Sequence, residues 1–213
     1  MPKGYQVGKS RGGVPISAED VEYEAARISA ALDLSSQTLL IDYGAGNGLL
    51  TEYLADNVGM TIAIEVNAWL ASQIDASKYS NVVVNTTLAR GLQTAKSFRR
   101  GLAKDFKVGF LANEVWQYMS DKEREILGKE LMQLLHSGDS VLFSGIPDQT
   151  KKNAYAADQN TTKTQRDLDT RMGRWEIPRC PEQFAKLALN WEIVTPSITV
   201  TSGHWRFDVL GKS

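Results

Sequence analysis

The stretch Thr38-Leu-Leu-Ile-Asp-Tyr-Gly-Ala-Gly-Asn-Gly48 decides the fold. Thr38 to Tyr43 is a short apolar run of the buried-strand type, and the glycines at 44, 46 and 48 punctuate it. An amphipathic segment, about Gly48 to Asp56, departs from that turn. A strand that passes through glycines into a helix is the first half of a parallel crossover unit, because parallel neighbours cannot be joined by a tight turn.

The same alternation continues toward the C-terminus. Met60-Thr-Ile-Ala-Ile-Glu65, Val82-Val-Val84, Val108-Gly-Phe-Leu-Ala112 and Ser140-Val-Leu-Phe-Ser144 read as strands two to five. Between them lie helical spacings over Ala68–Ile74, about Leu92–Leu102, and a segment capped by Ser120 with Glu123 at its third position. Ile126, Leu127, Leu131, Leu134 and Leu135 form the expected inner face of that last helix, and His136-Ser-Gly-Asp its exit turn. Toward the N-terminus, Ser17 and Asp20 pair as a helix start, followed by a Val21, Ala25, Ile28, Leu32 stripe with Ser29 at its edge. Residues 1–16, rich in Gly, Lys and Arg, read as a loose arm.

At Pro147 the pattern breaks. Residues 148–176 are polar with few apolar anchors and read as an inserted lid. A helix starting at Pro181 and holding Phe184, Leu187 and Leu189 follows. Two final strands, about Trp191–Val200 and His204–Leu210, are separated by only Thr-Ser-Gly, which requires an antiparallel hairpin. The expectation is one α/β domain over 1–213: a Rossmann-like seven-stranded sheet, mostly parallel, with an antiparallel C-terminal hairpin, helices on both faces and a lid insertion before the sixth strand.

Bulk properties narrow the partners. The 213 residues carry 24 basic against 25 acidic side chains, a net charge of −1, without the basic excess of a phosphate-backbone binder. Cys180 is the only cysteine, which excludes an internal disulfide or a multi-thiolate zinc site, and no metal is expected. The opening Met-Pro-Lys-Gly-Tyr-Gln-Val-Gly-Lys has no apolar run of a signal peptide, and no stretch nears the ~20 apolar residues of a membrane span. A cytoplasmic protein with neither nucleic acid nor membrane as partner is the expectation.

Two carboxylates flank the glycine turn. In G-x-G-x-x-G, the dinucleotide fingerprint, the third glycine would stand at Leu49, and here it comes one residue early. Asp42 at the strand tip would repel a phosphate and suits an ammonium group. Glu65, at the end of the next strand, stands where a carboxylate accepts the two hydroxyls of a ribose, and the helix that follows the loop offers N–H groups at its start.

From about Leu39 onward the chain resembles the class I S-adenosylmethionine-dependent methyltransferase family. The likeness rests on the glycine loop, Glu65, Phe110-Leu-Ala-Asn-Glu-Val-Trp-Gln-Tyr118, the Ser-Gly-Asp turn and the terminal hairpin. It implies that Gly44, Ala45 and Gly46 cradle the methionine part of S-adenosylmethionine beside Asp42. Glu65 would hold the ribose, Val66 would pack on adenine, and backbone at Asn113 would reach the methionine amine. At Thr87 and Leu88 the chain departs from the pattern, since the family often has an Asp there for the adenine amino group. That contact then comes from backbone or is absent. A looser similarity, in Gly173-Arg-Trp175 and His204-Trp-Arg-Phe-Asp208, is to methyltransferases of surface-polysaccharide and sugar-phosphate biosynthesis.

The resemblance implies methylation of a small molecule, on oxygen of a sugar or phosphorylated metabolite. The alternatives are N-methylation of a small amine and a non-catalytic S-adenosylmethionine-binding protein, with a nicotinamide oxidoreductase more distant. Base-amine methyltransferases carry an Asn/Asp-Pro-Pro-aromatic segment after strand four; here Ala112-Asn113-Glu114-Val115 has no proline, against nucleic-acid substrates. Of the two histidines, His136 lies at the far edge of the sheet, so His204 is the expected general base, with Glu114 next. Tyr118, Arg174 and Arg206 are expected to meet the acceptor, with Trp116 either beside them or simply packed. Lys151, Lys152, Lys163, Arg166, Arg171, Arg174 and Arg179 either clamp an anionic acceptor or face Asp158, Asp167, Asp169 and Glu176.

Overall fold

A computed structural model describes residues 3–6, 10–11, 14–101, 106–158, 172–185, 187–196 and 203–213. Seven strands form one sheet: β1 (Thr38–Tyr43), β2 (Met60–Ile64), β3 (Val82–Asn85), β4 (Lys107–Asn113), β5 (Ser140–Pro147), β6 (Asn190–Val194) and β7 (Arg206–Lys212). Their order is β3-β2-β1-β4-β5-β7-β6. The first five are parallel, whereas β7 runs antiparallel to both β5 and β6. This is the Rossmann-like architecture expected, antiparallel hairpin included.

Alternation along the central strands sends side chains to two separate cores. Leu39, Ile41 and Tyr43 face a core closed by α4 (Leu88–Gly101), α5 (Asp121–Leu134) and Phe184. Leu40, Leu111, Leu142 and Leu210 face the opposite core under α1 (Ala18–Leu32) and α2 (Leu49–Ala55), and a short α3 (Ala68–Ala71) follows β2. Leu111, Leu142 and Leu210 stand opposite one another across β4, β5 and β7, and the next member of that row on β1 is Asp42. A carboxyl therefore continues an apolar row, which is why it is deeply buried.

Both helix starts read from sequence carry complete capping boxes, Ser17 with Asp20 and Ser120 with Glu123. Val21, Ala25, Ile28 and Leu32 are buried as expected. At the far edge, His136 and Val108 donate backbone N–H groups to buried Asp139, which also pairs with Arg99.

Several local expectations need correction. Ile126 is 43 % exposed, because the inner face of α5 runs through Arg124, Leu127, Gly128, Leu131 and Leu134. After Pro181 there is one 3₁₀ turn, Glu182–Phe184, not a longer helix, although Phe184 and Leu187 are buried. β6 stops at Val194, and Trp191–Val200 is too long, with 197–200 outside the described residues. The arm contains a helical turn, Lys3–Gln6, and a two-stranded ribbon pairing Ser10–Arg11 with Val14–Pro15.

Of the expected lid, residues 159–171 lie outside the described residues, and with them Lys163, Arg166, Asp167, Asp169 and Arg171. Its described ends have firm anchors, against the expectation of few. Tyr155, on a short helix α6 (Lys152–Asp158), packs with Met172, Trp175 and Trp205. Among the described residues no helix is long and apolar enough to cross a membrane.

Candidate functional site

A cleft of about 330 Å³ opens at the carboxyl edge of β1, β2 and β4, a size that suits one small ligand. Asp42, Gly44–Gly46, Asn47, Glu65, Val66, Leu70, Asn113, Glu114, Val115 and Tyr118 are among its lining residues. The strand order reverses between β1 and β4, so the cleft occupies the switch point at which open α/β sheets bind ligands.

The glycine loop folds back onto the end of β2. Gly44 and Ala45 donate N–H bonds to the Ile64 carbonyl at 2.7 and 3.2 Å. Gly44 has φ +78°, and a Cβ there would run into the side chain of Val115, so the close approach of the loop to the β4 exit requires glycine. Gly46 donates its N–H to Glu65 Oε2 at 2.8 Å, and Asn67 donates to Glu65 Oε1 at 2.7 Å. Leu49 N–H is taken by the Asn47 side chain. Of the N–H groups expected at the helix start, that of Leu49 is therefore used internally.

Asp42 is 3 % exposed, and Thr51 on α2 donates to its Oδ2 at 2.6 Å. Burial pushes its carboxyl up to about 6; the Thr51 bond opposes the rise and the Glu65 charge adds to it. Ionised near neutral pH, it is an ill-solvated negative charge facing a cleft. Glu65 sits at 7 % exposure, each oxygen engaged by one backbone N–H and each retaining acceptor capacity. Among the described residues no Lys or Arg lines the cleft, against three carboxylates, Asp42, Glu65 and Glu114.

Glu114 follows β4 with φ +58°, a left-handed conformation costly for a side-chain-bearing residue. Its N–H donates to the Ser144 carbonyl at 2.8 Å. Gly145, at φ +73° where the β5–β7 register slips, leaves room for it, since a Cβ there would lie 2.6 Å from the Glu114 Cγ. Arg206 Nη2 comes within 3.6 Å of Glu114 Oε2, and its other nitrogen donates to the Gly145 carbonyl. Behind the kink lies a buried charge network. Arg27 of α1 donates to Asp208 of β7 at 2.6 Å, to both oxygens of Glu24, and to Ser144. Ser144 Oγ and Gly145 N–H both donate to the same Asp208 oxygen. Burial works against the Arg27 charge, but the Glu24 and Asp208 partners outweigh it and raise the pKa.

The structure brings together Asp42, Gly44, Ala45, Gly46, Glu65, Val66, Asn113, Glu114 and Tyr118 in one cleft. Leu88 begins α4, Thr87 immediately precedes it, and neither is among the lining residues. Arg206 is buried behind Glu114. His204 occupies the 3₁₀ turn Gly203–Trp205 before β7, with its ring 4.2 Å from Trp205 and exposed to solvent. Trp116 is 2 % exposed and packs against Phe143 and Phe184, with the Arg124 guanidinium over its face. Arg174 lies outside the cleft in a neighbouring groove and pairs with Asp121. Sequence reasoning missed Asn47, Thr51, Leu70 and Val115. Thr51 stands within the first turn of the helix after the loop, and that position was the one available signal for it.

No protein-family profile matches the chain, and no curated protein matches it in sequence. Solved structures do match in fold. A methyltransferase described as S-adenosylmethionine-dependent from Anabaena variabilis aligns over 90 % of this chain and 84 % of its own, with 15 % identity and a TM-score of 0.61. An N-methyltransferase from Bradyrhizobium japonicum, solved with S-adenosyl-L-homocysteine, aligns over 91 % and 84 %, with 16 % identity and a TM-score of 0.53. An S-adenosylmethionine-dependent methyltransferase from Archaeoglobus fulgidus aligns over 92 % and 95 %, with 13 % identity and a TM-score of 0.54. The fold of this chain is therefore the one these methyltransferases share.

Proposed function

We propose that the chain is an S-adenosylmethionine-dependent methyltransferase that methylates a small molecule, on oxygen of a sugar or phosphorylated metabolite. One observation carries it: among the described residues, three carboxylates and no cation line a cleft at the switch point of this fold. S-adenosylmethionine has a sulfonium and an ammonium, so an acidic cleft suits it, whereas a nicotinamide dinucleotide would place its pyrophosphate against Asp42. When bound, it supplies an activated methyl group.

The chain's own residues position and deprotonate. Asp42 receives the ammonium, which offsets the cost of its burial. Glu65 accepts ribose hydroxyls while holding Gly46 and Asn67, and Val66 and Leu70 offer an apolar flank for the base. Backbone at Asn113 closes the methionine end. Glu114 accepts the proton of the acceptor hydroxyl, held by Arg206 and the Gly145 kink, as positioned bases are. His204 is the second candidate base, at the same sheet edge. N-methylation of a small amine is a second reading, favoured by the same Glu114 carboxylate, which would attract an ammonium. Near-neutral charge and the missing proline after Asn113 favour a small acceptor over nucleic acid. A cytoplasmic setting, with Cys180 reduced, completes the reading.

The test is calorimetric titration with S-adenosylmethionine and S-adenosylhomocysteine without metal, followed by transfer of labelled methyl to metabolite pools. Binding with transfer supports the proposal. Binding without transfer to any pool would make the chain a non-catalytic binder, and tighter binding of a nicotinamide dinucleotide would overturn it.

A further inference from the structure

A second depression adjoins the cleft and carries the opposite charge. The two meet at Tyr118, 59 % exposed, which lines both. Beyond it the groove is walled by Gln117, Gln149, Lys152, Arg174 and Trp175. Among the described residues it is lined by two cations and no carboxylate, whereas the cleft is lined by three carboxylates and no cation. Nothing in the overall charge of −1 demands such segregation within one concave surface.

The groove is built on fixed backbone. Arg174 N–H donates to the Gln117 carbonyl at 3.0 Å, Glu176 N–H to Pro147 at 2.9 Å, and Gln149 N–H to Glu176 at 2.8 Å. These bonds stitch the strap after Met172 to the exits of β4 and β5, so both cations stand on supported elements. Lys152 Nζ lies 5.8 Å from the Trp175 ring centroid. Arg174 pairs with Asp121 at 2.5 Å, but the two side chains are 46 % and 79 % exposed. An ion pair so exposed is worth about 0–1 kcal/mol. An arriving anion therefore displaces Asp121 at little cost. The exposed amide of Gln149 and the phenol of Tyr118 along the walls suit hydroxyls.

We infer that this groove is the acceptor subsite and takes a phosphorylated sugar, its phosphate between Lys152 and Arg174 and its hydroxyls directed past Tyr118 toward Glu114. The assignment deepens the proposed methyltransferase reading and rests on it. Phosphate at this distance from the cleft also keeps the anion clear of the cofactor-side carboxylates, which would reject it.

The test titrates α-glucose 1-phosphate into the protein with and without saturating S-adenosylhomocysteine, beside methyl α-glucoside, glucosamine and inorganic phosphate. Lys152→Ala and Arg174→Ala should each weaken glucose 1-phosphate binding about tenfold, the scale of a lost charge-assisted hydrogen bond. Arg174→Lys should recover part of that loss, and Lys151→Ala, outside the groove, should leave affinity unchanged. S-adenosylhomocysteine affinity should be the same in all four variants, which doubles as the control for folding. Four results overturn the inference: no binding of glucose 1-phosphate, undiminished binding by the Lys152→Ala/Arg174→Ala double variant, equal affinity for inorganic phosphate, or preference for glucosamine or the uncharged glucoside. Failure of S-adenosylhomocysteine to bind would instead defeat the methyltransferase reading, while the titration without it still tests the groove.

Discussion

Replacing Asp42 by Asn separates the cost of burying its charge from the use of that charge. Burial raises the Asp42 carboxyl from 3.8 to about 6. At ~1.4 kcal/mol per unit, ionising it at neutral pH costs the free protein on the order of 3 kcal/mol. Because the folded pKa exceeds the unfolded one, the folded state holds the proton more tightly, and stability falls as pH rises between about 4 and 6. Above that window the penalty is constant. Asn keeps the shape and can accept the Thr51 hydroxyl bond, so Asp42→Asn should stabilise the free protein at pH 7 by about 1–3 kcal/mol. At about 2–4 °C per kcal/mol for a chain of this size, the melting temperature rises by roughly 3–10 °C. The same substitution should weaken S-adenosylmethionine binding tenfold or more, on the scale of a lost charged hydrogen bond. Thermal unfolding at pH 4, 5, 6 and 7, with and without ligand, reads both effects. The stability difference between variant and parent should grow from pH 4 to 6 and then level. A variant less stable than the parent at pH 7, or one that binds the cofactor equally well, would refute the reasoning.

Other perturbations follow from neighbouring contacts. Glu65→Gln should weaken cofactor binding by about 1–3 kcal/mol and loosen the loop, since one of its two backbone donors, Gly46 or Asn67, loses its acceptor; hydrogen exchange at Gly46 and Asn67 reads the second effect. Arg27→Met should cost about 3–5 kcal/mol by leaving Asp208 and Glu24 buried without their cation. That loss should shrink on acidification, because burial already raises the Asp208 carboxyl against the Arg27 pull; chemical denaturation at pH 5 and 7 checks it. Glu114→Gln should lower turnover about 10²-fold or more with cofactor affinity little changed, and His204→Ala less than threefold; the reverse ranking in steady-state rates would return the base role to His204.

The sheet was legible because its signals are local. A short apolar run, a glycine turn and a capping box each announce themselves within a few positions. The five parallel strands and both capped helices accordingly appear where their patterns place them. The misses at the insertion and in the buried charge network share one cause, which is contact between distant parts of the chain. Tyr155, Met172, Trp175 and Trp205 anchor the insertion jointly, yet no periodicity links them. Arg27 and Asp208 are 181 positions apart, and neither type predicts a buried pair on its own.

The site divides the same way. Asp42 and Glu65 stand on either side of the glycine loop in sequence, and both line the cleft beside it, so their placement is legible from type and spacing. Glu114 is a different case, since its placement depends on a left-handed backbone that no residue near it demands. The condition for that backbone lies on β5, where only a glycine at 145 leaves room, and on β7, which brings Arg206 alongside. His204 is the expected base because the chain order puts it at the carboxyl edge of the sheet, and an edge is all that chain order can specify. Which side chain reaches the cleft from that edge is decided by turns and packing. The turn Gly203–Trp205 leaves the imidazole exposed against Trp205, whereas the kink at Glu114 puts a carboxylate into the cleft wall. The same logic separates Arg174 from Arg206. Both are cations near the active edge, but buried Arg206 holds Glu114 while Arg174 stands exposed in a groove where an anion can reach it.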